Sequence, residues 1–282
     1  MRPSKYWAYE PSVALGVVSA VIFAILTLYH AFLLLRRRTW FCIPFIIGGL
    51  FEVIGFSARA IANSNLDKRP PKLIESLLIL LAPILFAASV YMILGRIIRA
   101  TSGEAYSIVR VNWLTKIFVG SDALCFAIQG VGGGMITSAD NKDDKHKGEM
   151  IILAGLIIQM AIFGFFLAVA KVFHSRLRAA PTGKSRNIRF KWERFMNLLY
   201  TASILITLRN FFRVLEYAMG EDSYLLANEW PIYAFDALPM AVCLVVCTGC
   251  YVPFNQVGQQ KIVDLELANN EHLITQPVAS RH

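Results

Sequence analysis

The sequence has little charge for its length, and that charge is unevenly spread. Lys, Arg, Asp and Glu make up 17% of the 282 residues, against about 25% in soluble globular proteins. They are bunched between long apolar runs, while hydrophobic residues reach 56% and the mean hydropathy is +0.52. This distribution argues against a large soluble core and is typical of a polytopic membrane protein.

Histidine is also scarce, with five residues in the chain. His30 alone lies deep in an apolar run, whereas a seven-helix intramembrane zinc hydrolase needs several histidines to hold its metal. The last apolar run has no lysine for a retinal Schiff base. No nucleophile elbow, Walker loop or Rossmann fingerprint stands in a supporting context. We therefore expect no enzyme activity, no metal site and no cofactor.

The motifs of G-protein-coupled receptors are missing as well. The third apolar run ends in Gly95-Arg96-Ile97-Ile98-Arg99 instead of Asp-Arg-Tyr, and the seventh contains no Asn-Pro-x-x-Tyr. A receptor of a divergent kind stays open at this point.

The five cysteines lie in or beside apolar runs. None falls in a segment that we assign to the outside, so no extracellular disulfide framework is expected. Cys243, Cys247 and Cys250 share one helical face. Because no His or acid lies near them in sequence on that face, we favour small apolar packing over a metal site.

Seven apolar segments each approach the roughly 20 residues that cross a bilayer as a helix. The predicted spans are Ser12–Leu35, Trp40–Ala62, Leu73–Ile98, Trp113–Thr137, Met150–Phe173, Phe195–Met219 and Pro231–Pro253. In lipid every backbone group needs an internal partner, so the fold class is all-α, a seven-transmembrane-helix bundle. Residues 1–11 are then an extracellular N-terminus, 12–253 the transmembrane domain and 254–282 a cytoplasmic polar tail.

The distribution of Lys and Arg predicts the orientation. With the N-terminus outside and the C-terminus cytoplasmic, most of these residues fall in inner segments, as the positive-inside rule requires. The net charge of +9 therefore reflects cytoplasmic loops, and no nucleic-acid partner is expected. The strongest basic block, residues 174–194, is interpreted as a topology determinant near anionic headgroups, with an inositol-lipid or cytosolic protein partner as the alternative.

Ionisable residues inside the spans are costly and usually face a cavity or one another. They are Glu52 and Arg59 in the second span, Glu75 in the third, Asp122 in the fourth, Arg209, Arg213 and Glu216 in the sixth, and Asp236 in the seventh. Helical spacing places Glu52 with Arg59, and Asp122 with Gln129, on shared faces that should point into the bundle. Depth along the helices gathers most of these charges in the outer half, with Glu52 near the middle and Asp122 further in.

Two interpretations of this outer group remain open. In the first, the residues are buried ion pairs that lock helices together, Arg59 with Glu75 or Asp236 and Arg213 with Glu216. Alternatively they line a polar vestibule open to the outer leaflet, where arginines bind a phosphate or carboxylate and acids bind an amine. Pro83 and Pro239 interrupt the third and seventh spans, where they free carbonyls and allow bends.

Several motifs share residues with these charges. The third span reads Leu-Leu-Ile-Leu-Leu-Ala-Pro over residues 77–83 and continues to Leu94-Gly95-Arg96. The others are Glu52-x-x-Gly55-Phe56-x-x-Arg59, Arg209-x-x-Phe212-Arg213-x-x-Glu216, and Glu229 followed by Tyr233-x-Phe235-Asp236-x-x-Pro239-Met240. Together they resemble the fungal lipid-translocating exporter family, also known as the aminocholesterol-resistance proteins. Glu75 adds a charge, and Cys125 removes a hydroxyl, relative to that pattern.

The resemblance implies a plasma-membrane or endomembrane protein that moves lipids and lipid-like amphiphiles without hydrolysing ATP, and so confers resistance. Sphingoid bases, phospholipids, sterol-like toxicants and porphyrins are the substrate classes in view. The predicted substrate-binding residues are Arg59, Glu75, Arg209, Arg213, Glu216, Asp236 and Tyr233, with Glu52, Asp122 and Gln129 continuing a polar path inwards. The alternative function is a seven-helix lipid or stress sensor whose segment 174–194 couples to a cytosolic partner.

Overall fold

The computed structural model describes residues 12–62, 69–139, 141–183, 185, 192–219 and 229–251. Seven helices in this part of the chain are long and apolar enough to cross a membrane, and no strand occurs among the described residues. The predicted all-α seven-helix class is therefore confirmed, and the chain is an integral membrane protein. The orientation stays a prediction, and the predicted terminal segments 1–11 and 254–282 lie outside the described residues.

Six of the helices are continuous α-helices. They are α1 (Val13–Arg37), α2 (Ile43–Ala62), α3 (Arg69–Ala100), α4 (Val111–Ser138), α5 (Lys142–Ala179) and α6 (Trp192–Met219). A 3₁₀ turn, Trp40–Cys42, leads into α2. The helix α5 begins two turns before the predicted span Met150–Phe173, because hydropathy marks the part of a helix that sits in lipid and not the helix itself.

The seventh span, α7 (Trp230–Cys250), is irregular. It starts with the short turn Trp230–Ile232, widens into a π-helical turn at Tyr233–Ala237, continues as the α-helix Leu238–Cys247 and closes with a 3₁₀ turn. Pro239 has no N–H, so the carbonyl of Phe235 four residues earlier lacks its usual helical donor. The wide turn lies where this interruption was predicted, and π-helical turns of this kind occur frequently at functional sites.

The bundle is arranged around α3, whose span is the most buried of the seven. The helices α2 and α4 flank it, α6 packs across it, and α7 lies between α6 and α1. His30 of α1 joins α7 through both ring nitrogens, with Nδ1 3.0 Å from the Tyr251 hydroxyl and Nε2 2.9 Å from the Leu244 carbonyl oxygen. This pair of hydrogen bonds closes the bundle at the end opposite to the start of α7.

Glycines let α4 and α5 approach closely. A Cβ added to Gly132 would lie 2.7 Å from the Gly148 carbonyl oxygen, and one added to Gly148 would lie 2.9 Å from that of Gly132. The neighbouring Gly133 and Gly134 meet nothing within 4 Å. Small residues at such seams allow backbone contact between membrane helices, so Gly132 serves packing, and α4 continues past it to Ser138.

Candidate functional site

Asp236 lies at the centre of an ion-pair cluster between α6 and α7. Its carboxylate is 1% exposed, and it projects from the π-helical turn of α7. Arg209 Nε donates to Asp236 Oδ1 at 2.6 Å, and Arg213 pairs with Oδ2. Two arginines from successive turns of one helix therefore occupy both oxygens of a single carboxylate.

Arg209 also satisfies a carbonyl that Pro83 has released. Because Pro83 has no N–H, the carbonyl of Ile79 four residues earlier in α3 lacks its usual helical donor. Arg209 Nη2 donates to this oxygen at 2.8 Å. The planar guanidinium of Arg209 thus bridges α3 and α7. The carbonyl that Pro83 was predicted to free in the third span accepts one of the N–H groups of Arg209.

Glu216 is the second acid of this group. Arg213 Nη1 donates to Glu216 Oε2 at 2.9 Å, between residues three apart on one face of α6. The pair that spacing predicted is therefore present. We call Arg209, Arg213, Glu216 and Asp236 the Asp236 cluster.

Arg59 forms a second cluster at the end of α2. Within the described part of the chain, Arg59 pairs with Glu75 of α3, one of its two predicted partners, and not with Asp236. The side chain of Arg59 is fully buried. Arg59 Nε donates to the Tyr233 hydroxyl at 3.1 Å, and Nη2 donates to Glu229 Oε1 at 3.3 Å. We call Arg59, Glu75, Glu229 and Tyr233 the Arg59 cluster, and Tyr233 places it on the same π-helical turn as Asp236.

Glu229 belongs to this cluster although it lies between the predicted sixth and seventh spans and was not among the predicted substrate-binding residues. It accepts a hydrogen bond from the Tyr233 hydroxyl at 3.0 Å. Its two oxygens also accept the Ser12 N–H at the start of α1, at 2.9 and 3.0 Å. The signal available in the sequence was its position four residues before Tyr233, on the same face of a helix.

Glu52 forms no hydrogen bond with a described member of either cluster. Its carboxyl is fully buried, and neither oxygen has a hydrogen-bond partner among the described residues. It is close enough to Asp236, Arg209 and Arg213 for their charges to act on it. Glu52 is therefore a buried acid beside the Asp236 cluster whose acceptors are unused.

Asp122 and Gln129 of α4 lie at two different helix contacts, with α3 and with α5. Asp122 Oδ2 accepts from the Tyr91 hydroxyl of α3 at 2.8 Å, and Gln129 Nε2 donates to Gln159 Oε1 of α5 at 2.8 Å. Asp122 Oδ1 and Gln129 Oε1 have no partner in the described part of the chain. Both residues face into the bundle as predicted, while a continuous polar path from Glu52 through them stays a prediction.

Most of the buried charged groups form ion pairs, and most of these pairs join different helices or turns. Arg59, Arg209 and Asp236 are each at most 1% exposed, and the arginines are held by acids from neighbouring helices or turns. Among the described residues, no group of three or more His, Cys, Asp or Glu side chains is placed to hold a metal ion. The two clusters can therefore interact with a ligand through charge and hydrogen bonds at the contacts between helices.

Comparison with known proteins places these residues within a recognised sequence family. The family described as "RTA1 like protein" matches residues 45–259, a range that includes every member of both clusters and Glu52. No solved structure matches the chain.

Three curated relatives come from the yeast Saccharomyces cerevisiae. Protein RTM1 is 36% identical over 206 residues, which cover 72% of this chain and 65% of the relative. Protoporphyrin uptake protein 1 is 33% identical over 208 residues, covering 72% of this chain and 66% of the relative. Sphingoid long-chain base transporter RSB1 is 27% identical over 295 residues, covering 93% and 77%. The chain thus spans slightly less than two-thirds of the first two relatives.

Proposed function

Since this chain belongs to the RTA1-like protein family, we propose that it binds amphiphilic lipids among its helices and moves them across the membrane. The family predicted from the motifs of the third and sixth spans is confirmed by this membership. The proposed cargo is a lipid or lipid-like molecule with a charged headgroup, such as a sphingoid base. The proposed location is the plasma membrane, with an endomembrane as the alternative.

The observation that carries this proposal is Asp236 held by two arginines on a π-helical turn. Burying ion pairs is costly, and apolar residues of similar size often stabilise a fold as well or better. Ionisable groups inside membrane helices are rare and mark substrate or ion pathways. A charge cluster on the least regular segment of the bundle therefore supports a role in binding.

The relatives' names support the same chemistry. One is called a sphingoid long-chain base transporter and another a protoporphyrin uptake protein. Both names denote molecules with a large apolar part and ionisable groups. A headgroup of that kind fits the charged clusters, while its apolar part fits the lipid-facing surfaces of the helices. The proposal includes no chemical change to the cargo.

Reconstitution of the full chain into liposomes tests the proposal. A fluorescent sphingoid base and a fluorescent phospholipid are followed between leaflets by quenching from outside. We expect protein-dependent movement of at least one probe, and Asp236→Asn should slow it by about tenfold or more, because unpaired buried arginines are costly. The matched control is Asp144→Asn, which makes the same chemical change at an exposed pair with Lys147.

The folded state of each variant is checked by its elution on size-exclusion chromatography. Specific lipid binding by the wild-type chain without movement of any probe would overturn transport and favour the lipid-sensor alternative. Equal transport by Asp236→Asn and Asp144→Asn would show that the Asp236 cluster only holds helices together.

A further inference from the structure

Glu52 differs from the acids in the two clusters. Asp236, Glu75, Glu216 and Glu229 each accept from an arginine, whereas neither oxygen of Glu52 accepts a hydrogen bond from a described residue. Its carboxyl is nevertheless fully buried in α2. A buried polar group without a partner is costly, and a buried unpaired charge is far more so.

Counting charges shows which state of Glu52 the site favours. Arg209 and Arg213 balance Asp236 and Glu216, so the Asp236 cluster is neutral by itself. An ionised Glu52 beside it would add one uncompensated negative charge to a buried region inside a membrane-spanning bundle. The site is neutral in two ways only: with a proton on Glu52, or with a cation bound to it.

Within the described part of the chain, the charges that act on Glu52 belong to the Asp236 cluster. The charges acting on it come from Arg209 and Arg213 of α6 and from Asp236 of α7. Of the helices packed against α2, α1 contributes His30, which bonds to α7, and α3 contributes Glu75, which pairs with Arg59.

We propose that the Glu52 carboxyl is an exchange site that holds either a proton or the ammonium headgroup of an amphiphile, so that binding of one releases the other. This inference rests on the proposed function, because the amphiphile reaches Glu52 from the membrane. The proposal places the proton on Glu52 whenever no amphiphile is bound.

The exchange step is balanced in atoms and charge. The O–H bond of Glu52 breaks, its electron pair stays on the carboxylate, and the proton passes to water. The ammonium group then donates N–H hydrogen bonds to the two carboxylate oxygens, and no covalent bond to the ligand forms. One positive charge enters as one leaves, so the buried site stays neutral.

The same geometry disfavours an anionic headgroup. A phosphate would need several free arginine donors, but Arg209 is bonded to Asp236 and Ile79, and the Nη atoms of Arg213 are bonded to Glu216 and Asp236. Of the nitrogens of these two arginines, Arg213 Nε alone is buried without a partner among the described residues, and one N–H is a small share of what a phosphate accepts. A phosphate would also add negative charge beside Asp236. An ammonium can instead be accepted by the two oxygens of Glu52, which no described residue occupies.

Calorimetry on the full chain in phosphatidylcholine nanodiscs tests the exchange with dodecylammonium. Its amine resembles that of lysine, which ionises near pH 10.4, so the probe stays charged between about pH 6 and pH 8. Titrations in two buffers of different ionisation enthalpy, corrected with empty nanodiscs, give the protons released per amine. We expect about one, and binding about tenfold tighter for each pH unit gained while the proton competes.

Variants separate the role of Glu52 from general disruption. Glu52→Gln keeps the shape but has no proton to exchange, and we expect dodecylammonium binding to weaken at least about tenfold with no proton release. Glu52→Asp should restore release, and Asp144→Asn should behave as wild type. If Glu52→Gln does not fold, the wild-type proton count and pH dependence still decide the question.

Two outcomes would overturn the exchange and leave transport standing. The first is dodecylammonium binding that releases no proton and does not change with pH. The second is preferential binding of dodecyl phosphate, which would make the arginines the acceptors of the headgroup. Failure of every probe both to bind and to cross liposome membranes would instead overturn the proposed function together with the exchange.

Discussion

Arg209 illustrates how a single residue joins two irregularities of the fold. Its guanidinium reaches the carbonyl that Pro83 leaves without a donor in α3, and it reaches Asp236 on the π-helical turn of α7. A planar group with donors in fixed directions suits this bridge, whereas the single ammonium of lysine does not. The two prolines and the arginine therefore belong to one arrangement.

Replacing Arg209 by lysine should destabilise the fold by about 1–3 kcal/mol, because one of the two acceptors loses its donor. The measurement is the free energy of unfolding in denaturant, in lipid nanodiscs. Pro83→Ala returns an N–H to the Ile79 carbonyl, so Arg209→Lys should cost less in that background, which a double-mutant cycle detects. Equal costs in both backgrounds would show that the Ile79 contact contributes nothing.

Most of the charged residues of the two clusters could be predicted from the sequence, but not all of their pairings. The spacing of Arg213 and Glu216 fixed their pairing, since both lie on one face of one helix. The partner of Arg59 was left between Glu75 and Asp236, because the rotation of one helix against another depends on packing across the whole bundle. Glu229 was missed because it is the N-cap of α7, one residue before the helix and outside the apolar stretch that hydropathy marks.

At the scale of helices, the seam between α4 and α5 depends on glycine at particular positions. Gly132 and Gly148 face each other with no room for a Cβ, while Gly133 faces open space on the same helix. The sequence has glycine at residues 130 and 132–134, but it does not show which of them packs against α5. That distinction comes from the crossing of the two helices, which no local pattern contains.

Gly132→Ala should destabilise the protein by about 1–3 kcal/mol, since the added methyl overpacks against backbone. Gly133→Ala is the matched control and should be neutral or up to about 1 kcal/mol stabilising, because alanine favours helix. Thermal unfolding of both variants in the same detergent compares them directly. A Gly132→Ala variant as stable as Gly133→Ala would mean that α4 and α5 separate at no cost.

For the whole molecule, the number of spans followed from hydropathy, because the bilayer fixes how long an apolar helix must be. The predicted second span, Trp40–Ala62, coincides with the 3₁₀ turn and α2 taken together, and the predicted sixth span ends with α6 at Met219. The orientation rests on Lys and Arg alone, and it determines to which side of the membrane the two charge clusters belong.

Cysteine labelling measures this orientation. Glu104 lies in an exposed turn after α3, and His146 is 75% exposed near the start of α5. The five native cysteines are buried. With the N-terminus outside, a membrane-impermeant maleimide added to intact cells should label His146→Cys and spare Glu104→Cys. The reverse pattern would place the clusters at the cytoplasmic side.

The neutrality of the Asp236 cluster has an electrical consequence. A carrier whose loaded and protonated forms have the same charge does no work against the membrane voltage as it turns over. If a proton and an amine exchange at Glu52, the pH difference between the two sides would drive the amine across the membrane. The resting potential of the cell would not change the direction of amine movement, because the exchange moves no net charge.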